Sequence, residues 1–232
     1  MNTDRKTAIM VGVLFIAALV LNLIGMAIYE PILDAQDYLV NAYPQKTQVL
    51  IGILMDFICA PLIVLIPIVV FPVLKQHNER LALGYVGFRI LEGVLHIVTI
   101  FSTLSLLTLS QEYINAGTPD ASYFPMLGSS IHAEIAWNNL LYILVFTLGA
   151  PMFYYILYQS KLIPRLISGW CLIAHAVLFI GALLGVFDLI PVSTAKYGFG
   201  PLVALGELML SVWLIAKGFN ALASAFGSVS SR

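Results

Sequence analysis

Six stretches of this chain, residues 8–29, 49–74, 82–110, 128–158, 164–187 and 199–217, are long and apolar enough to cross a bilayer. A crossing helix needs about 20 mostly apolar residues. Within lipid every backbone polar group must be bonded inside the protein, so only helices or a closed barrel can span. Runs this long, without apolar–polar alternation, specify helices. The expected fold is therefore all-α: a polytopic membrane bundle of six transmembrane helices, a single domain over residues 1–232. Composition leaves little room for a soluble alternative. Of the 232 residues, 60% are hydrophobic and 10% are charged, whereas a soluble domain has roughly 25% charged residues.

The basic residues orient the bundle. Arg5, Lys6, Lys75, Arg80, Lys161, Arg165, Lys217 and Arg232 fall on one side of the six stretches. Lys46 and Lys196 fall on the other, and Arg89 lies within a span. The positive-inside rule then places both termini in the cytoplasm of a multi-pass cell-membrane protein. The first span is expected to be retained, because it exceeds the length of a secretory signal core. The acids Glu30, Asp34, Asp37, Glu112, Asp120 and Asp188 collect on the outer side. The outer segments 30–48 and 111–127 also carry Tyr38, Tyr43, Tyr113 and Tyr123, suited to an interfacial belt. Residues 34–41 are expected to form a short surface helix. The spans at 82–110 and 128–158 are longer than one bilayer thickness and should tilt or project. Arg80-Leu81-x-x-Gly84-Tyr85 is echoed by Arg165-Leu166-x-x-Gly169-Trp170. A basic residue followed by an interfacial aromatic explains the echo better than a duplicated hairpin does.

Polar residues inside these spans are the candidates for function, since burying them in lipid is costly. Arg89, Glu92 and His96 are spaced by three and four residues and share one helix face. At 1.5 Å of rise per residue, Asn22, Asp56, His96, Glu134 and Glu207 all fall roughly 10 Å below the outer face. His132 lies nearer the outer edge, Asn138 and His175 are deeper, and Glu92 is near the midplane. These depths predict a polar pocket in the outer half, with Asp56, Glu92, His96, Glu134, Glu207, Asn22 and Asn138 as ligand- or ion-binding candidates. Arg89 and Glu92, one turn apart, are expected to form a structural ion pair deeper in. The spans hold four acids, Asp56, Glu92, Glu134 and Glu207, against one fixed cation, Arg89. A protein site with surplus acid calls for protons, protonated histidine, a bound cation or a cationic ligand. Pro61, Pro67 and Pro72 in the second span, and Pro151 in the fourth, can break helices beside such a site, although membrane helices also tolerate proline.

Familiar chemical signatures do not fit. HExxH, GxSxG, GxGxxG and P-loop patterns are missing from the sequence. His132-x-Glu134 lacks the downstream PCxxC of zinc deaminases. A metal ion remains an alternative, with ligands from different helices: His96, His132, His175 and Glu207. Haem is not expected, because nothing indicates room for the macrocycle between His96 and His175. Cys59 and Cys171 sit in apolar segments without zinc spacing and read as small buried hydrophobes. With a net charge of −1, the chain offers no surface for nucleic acid. The lipid bilayer is the partner that composition implies. The oligomeric state is not encoded in any pattern here.

Residues 81–92, Leu-Ala-Leu-Gly-Tyr-Val-Gly-Phe-Arg-Ile-Leu-Glu, resemble a bacterial membrane family called domain of unknown function 4386. So do Phe71-Pro72-Val73-Leu74-Lys75, Leu162-Ile163-Pro164-Arg165, Gly206-Glu207-Leu208, Trp213-Leu214-Ile215 and Lys217-Gly218-Phe219. The resemblance extends over nearly the whole chain. It implies a multi-span membrane protein, brings no activity with it, and includes Arg89, Glu92 and Glu207 in the family pattern. His96, His132 and His175 are not placed by it. The leading functional expectation is binding or transport of a proton, a cation or a small cationic or amphiphilic molecule. The alternatives are a metal-dependent membrane hydrolase acting on lipid and a non-catalytic membrane partner or sensor.

Overall fold

The structure is a computed structural model that describes residues 3–117 and 123–220. Asp120 of the outer acidic group and Arg232 of the basic side lie outside the described residues. The chain forms α1 (Thr3–Leu33), a short α2 (Tyr38–Asn41), α3 (Lys46–Asn115), α4 (Tyr123–Ser160), α5 (Arg165–Val186), a π-helical turn (Thr194–Phe199) and α6 (Gly200–Ala216). No strand occurs among the described residues. Among the described residues five helices are long and apolar enough to cross a membrane, which marks the protein as membrane-embedded.

α3 comprises 70 residues. As a straight rod it would reach about 105 Å, more than three hydrocarbon thicknesses. It is in fact a hairpin of two helical arms. The polar run Lys75-Gln76-His77-Asn78-Glu79-Arg80 interrupts the apolar pattern, and Asn78 leaves helical geometry at φ −159° and ψ 97°. Its side-chain Oδ1 accepts a 3.0 Å hydrogen bond from the Leu81 backbone N–H, as an N-cap does. The arms then run back along each other. His96 comes to 3.7 Å from Asp56, and Gly93 faces Ala60 and Val64. Two of the apolar stretches thus meet with no loop between them.

Proline does not break these helices. α3 continues through Pro61, Pro67 and Pro72, and α4 continues through Pro151. Of the two readings left open for these prolines, a broken helix or a tolerated proline, the helices follow the second. Asparagine in a polar turn, not proline in an apolar span, stops the helix. Residues 38–41 are helical, as expected for the outer segment, although 34–37 are not.

The bundle has two packed ends. At one, the Arg5 guanidinium donates to the carbonyls of Leu214, Ile215 and Ala216, at 2.9, 2.7 and 3.1 Å. A cation at a helix C-terminus meets unpaired carbonyls and the negative end of the dipole. The Asn220 backbone N–H donates to Leu162 O at 2.9 Å nearby. Val11, Ile66, Leu74, Tyr85, Phe153, Leu157 and Leu214 pack into the core of this end. At the other end the Ser110 hydroxyl donates to Leu39 O and accepts from the Tyr43 N–H, both at 2.9 Å. Tyr29, Leu33, Val49, Ile53 and Leu106 form its core. Between the ends α1 and the first arm of α3 meet at Gly25 and Gly52. A Cβ on either would lie within 2.9 Å of the other's carbonyl oxygen. The outward faces remain apolar. Leu54, Phe57, Leu91, Phe101, Ile173 and Val212 are all exposed, as suits contact with lipid tails.

Candidate functional site

A cavity of about 490 Å³ lies between the two packed ends. α1, both arms of α3, α4, α5 and α6 all contribute lining residues. The sequence stripe on the second arm of α3 supplies one wall, with Arg89, Glu92, His96 and Thr99 recurring every three or four residues. α1 adds Asn22 and Tyr29, the first arm of α3 adds Asp56, and α6 adds Glu207. The remaining surface is largely aliphatic and aromatic, including Leu19, Met26, Ile63, Phe146 and Leu178.

Two polar clusters stand in this cavity. In the first, the Arg89 Nη1 donates to both oxygens of Glu92, at 3.0 and 3.1 Å. Tyr142 donates to Glu92 Oε1 at 3.2 Å. The guanidinium also lies 5.2–5.8 Å from the ring centres of Phe146, Tyr85 and Phe15, favourable cation–π geometry in a desolvated site. Its Nη2 points toward Glu207, 3.8 Å from Oε1, beyond hydrogen-bond length. In the second cluster Asp56 accepts from the Tyr29 hydroxyl at 2.7 Å and from Asn22 Nδ2 at 3.3 Å. His96 Nε2 stands 3.7 Å from Asp56 Oδ1.

At the Glu30 end, the Lys196 Nζ donates to Glu30 Oε1 at 2.5 Å and the Tyr197 hydroxyl to Glu30 Oε2 at 2.6 Å. Both donors come from the π-helical turn, a form of helix frequent at functional sites. They tie the end of α1 to the start of α6 across the cavity.

Five of the seven ligand candidates from the sequence, Asn22, Asp56, Glu92, His96 and Glu207, line this one cavity. Arg89 lines it too, so the Arg89–Glu92 pair belongs to the cavity wall, not to a separate strut below it. Glu134 and Asn138 do not line it. Glu134 is exposed and accepts from Ser102 at 2.7 Å. Asn138 donates to Leu95 O at 2.9 Å and to Thr99 Oγ1. It braces α4 against α3, and its neighbour Asn139 lines the cavity. Depth did not predict lining: Glu134, placed level with the pocket, faces outward, and Asn138, placed deeper, is buried at the contact with α3, because depth fixes height and not helix rotation.

The histidines are dispersed. His132 packs edge-on to Tyr38 near the α2 end. His175 donates from Nδ1 to Cys171 O at 2.7 Å, its ring against Phe146 and Tyr154. Only His96 of the three lines the cavity. The set His96, His132, His175 and Glu207 is therefore not assembled. Among the described residues no group of three or more His, Cys, Asp or Glu side chains could hold a metal.

Sequence reasoning missed Tyr29, Tyr142, Asn139, Lys196 and Tyr197. Tyr29 is two turns from Asn22 on α1. Asn139, Tyr142 and Phe146 follow helical spacing on α4. Tyr29 continues a stripe already polar at Asn22, and Tyr142 lies four residues after Asn138, whereas Asn139, Lys196 and Tyr197 carried no such signal.

The architecture and the ionic cavity define a class: a helical membrane protein that holds charged side chains in an interior cavity. The chain belongs to the family described as domain of unknown function (DUF4386), whose model matches residues 10–218. Nothing among curated proteins or solved structures matches it.

Proposed function

We propose that this protein binds, and moves across the membrane, a small cationic or amphiphilic molecule held in the central cavity. The observation that carries this reading is the charge of the cavity wall: Asp56, Glu92 and Glu207 face Arg89, while the second lining cation, Lys196, is bonded to Glu30. Arg89 is committed to Glu92 through two hydrogen bonds. The other two carboxylates therefore have acceptor capacity directed at a space large enough for a ligand. Pockets that enclose small molecules typically measure about 300–1,000 Å³ and combine apolar walls with a few polar groups. In the same reading the two arms of α3 are separate crossings. The bundle then has six spans, with the basic Arg5 end and both termini in the cytoplasm.

Equilibrium binding of small amines to the purified protein, beside anions of equal size, tests the proposal. Glu207→Gln should weaken amine binding at least about tenfold, because a hydrogen bond to a charged group contributes about 1.5–3 kcal/mol. Uptake of the same amine into proteoliposomes separates transport from binding alone. Preference for the anions, or unchanged amine affinity in Glu207→Gln, would overturn the assignment.

A further inference from the structure

α1 and α6 border the cavity without closing it along their whole length. Toward the Arg5 end they are tight, and a Cβ on Gly12 would lie 2.8 Å from the Ser211 carbonyl oxygen. From Phe15 of α1 onward, residues of both helices line the cavity. Three of those lining residues also stand on the outside of the bundle. Leu23 is 52% exposed, Tyr197 is 53% exposed, and Pro201 is exposed. The cavity therefore reaches the surface between α1 and α6. Leu23 lies seven residues before Glu30, about 10 Å along the helix from the Glu30–Lys196 bridge. The flank around this opening is apolar, with Val20, Ile24, Leu205 and Leu208 exposed beside it. An opening with such a border, on the lipid-facing side of a span, leads to the membrane and not to water.

The interior supplies a second constraint. Arg89 is 3% exposed and His96 is 8% exposed, and both line the cavity. Arg89 Nη2 and His96 Nε2 are nevertheless without a hydrogen-bond partner. A buried donor left unpaired is costly, so a ligand oxygen is the natural partner for Arg89 Nη2. Glu207 and Asp56, 3.8 and 3.7 Å from these two nitrogens, call for a cation on the same head group.

We infer that the cavity accepts a single-chain amphiphile whose head bears an ammonium and an acceptor oxygen, and that this molecule enters from the bilayer between α1 and α6. The ammonium pairs with Glu207, the oxygen accepts from Arg89, and the chain lies along Leu19, Leu23 and Met26 toward the opening. This inference rests on the reading of the cavity as a cation site.

Radiolabelled N-dodecylethanolamine, added to the protein in phosphatidylcholine nanodiscs, tests both the ligand class and the route. The wild type should bind it, and dodecanoate, which has a similar chain and the opposite charge, should not compete. Leu23→Trp narrows the opening and should slow association at least about tenfold. Leu23→Phe, a milder change at the same exposed position, should slow it less. Wild-type association rates in both Leu23 variants would overturn the lateral route, and equal competition by dodecanoate would overturn the ligand class. Undiminished binding in Glu207→Gln would instead sink the cation site itself, so the two failures are distinguishable.

Discussion

Arg89 illustrates how much of the interior depends on one side chain. It is the fixed cation of the cavity, hydrogen-bonded to a Glu92 that is 1% exposed. Removing one partner of a buried pair leaves the other charge uncompensated, at about 3–5 kcal/mol, whereas replacing both by apolar side chains is often neutral. Arg89→Met should therefore lower the thermal unfolding midpoint in detergent, and Arg89→Met combined with Glu92→Met should recover most of the loss. A double variant as unstable as the single one would show that Arg89 acts mainly by packing among Tyr85, Phe15 and Phe146. The three- and four-residue spacing of Arg89, Glu92 and His96 made one helix face legible in the sequence. Asn138 and Asn139 mark the limit of such reading. They are adjacent, chemically identical and about 100° apart on the helix, so only the packing of α4 decides which of them faces the cavity.

At the level of elements, the contact between α1 and the first arm of α3 is set by Gly25 and Gly52. A methyl group on Gly52 would meet the Gly25 carbonyl oxygen at 2.8 Å. Backbone cannot move aside as a flexible side chain can, so Gly52→Ala should push the helices apart and destabilise by about 1–3 kcal/mol, the range for overpacking. Gly87→Ala on the second arm is the matched comparison. Nothing lies within 4 Å of its Cβ position, and alanine is the better helix former by about 0.5–1 kcal/mol, so that variant should be neutral or stabilising. Unfolding midpoints for the pair would separate crowding from helix propensity, and equal effects would contradict the crossing. The elements themselves were legible because long apolar runs permit little else. The hairpin turn was visible as the polar run 75–80. The continuity through Pro61, Pro67 and Pro72 was not, because whether a proline kinks a membrane helix depends on neighbours that satisfy the freed carbonyl.

For the whole molecule, three basic residues that the sequence grouped on one side, Arg5, Lys75 and Arg80, lie at one end of the fold. Arg5 caps α6, while Lys75 and Arg80 flank the α3 turn at Asn78. Glu30, Lys196 and Tyr197 meet at the opposite end. Loop charge orients membrane proteins because positively charged segments resist translocation, so this geometric separation should also be a topological one. The decisive feature is the α3 hairpin. If both of its arms cross, the chain makes six passes and its ends share a compartment. If the hairpin lay on one side, the chain would make four passes, and the turn at Asn78 would stay on the same side as the connection from α1. Reporter fusions in a bacterial host distinguish these outcomes. Phosphatase inserted at the Asn78 turn should be inactive, as should phosphatase fused after residue 232. A fluorescent protein, which folds in the cytoplasm, should give the reverse pattern at the two sites. Activity of the phosphatase at the Asn78 turn alone would contradict six passes. Activity at both sites would keep the six passes and invert the orientation, placing the Glu30–Lys196 bridge and the opening beneath it in the cytoplasmic half.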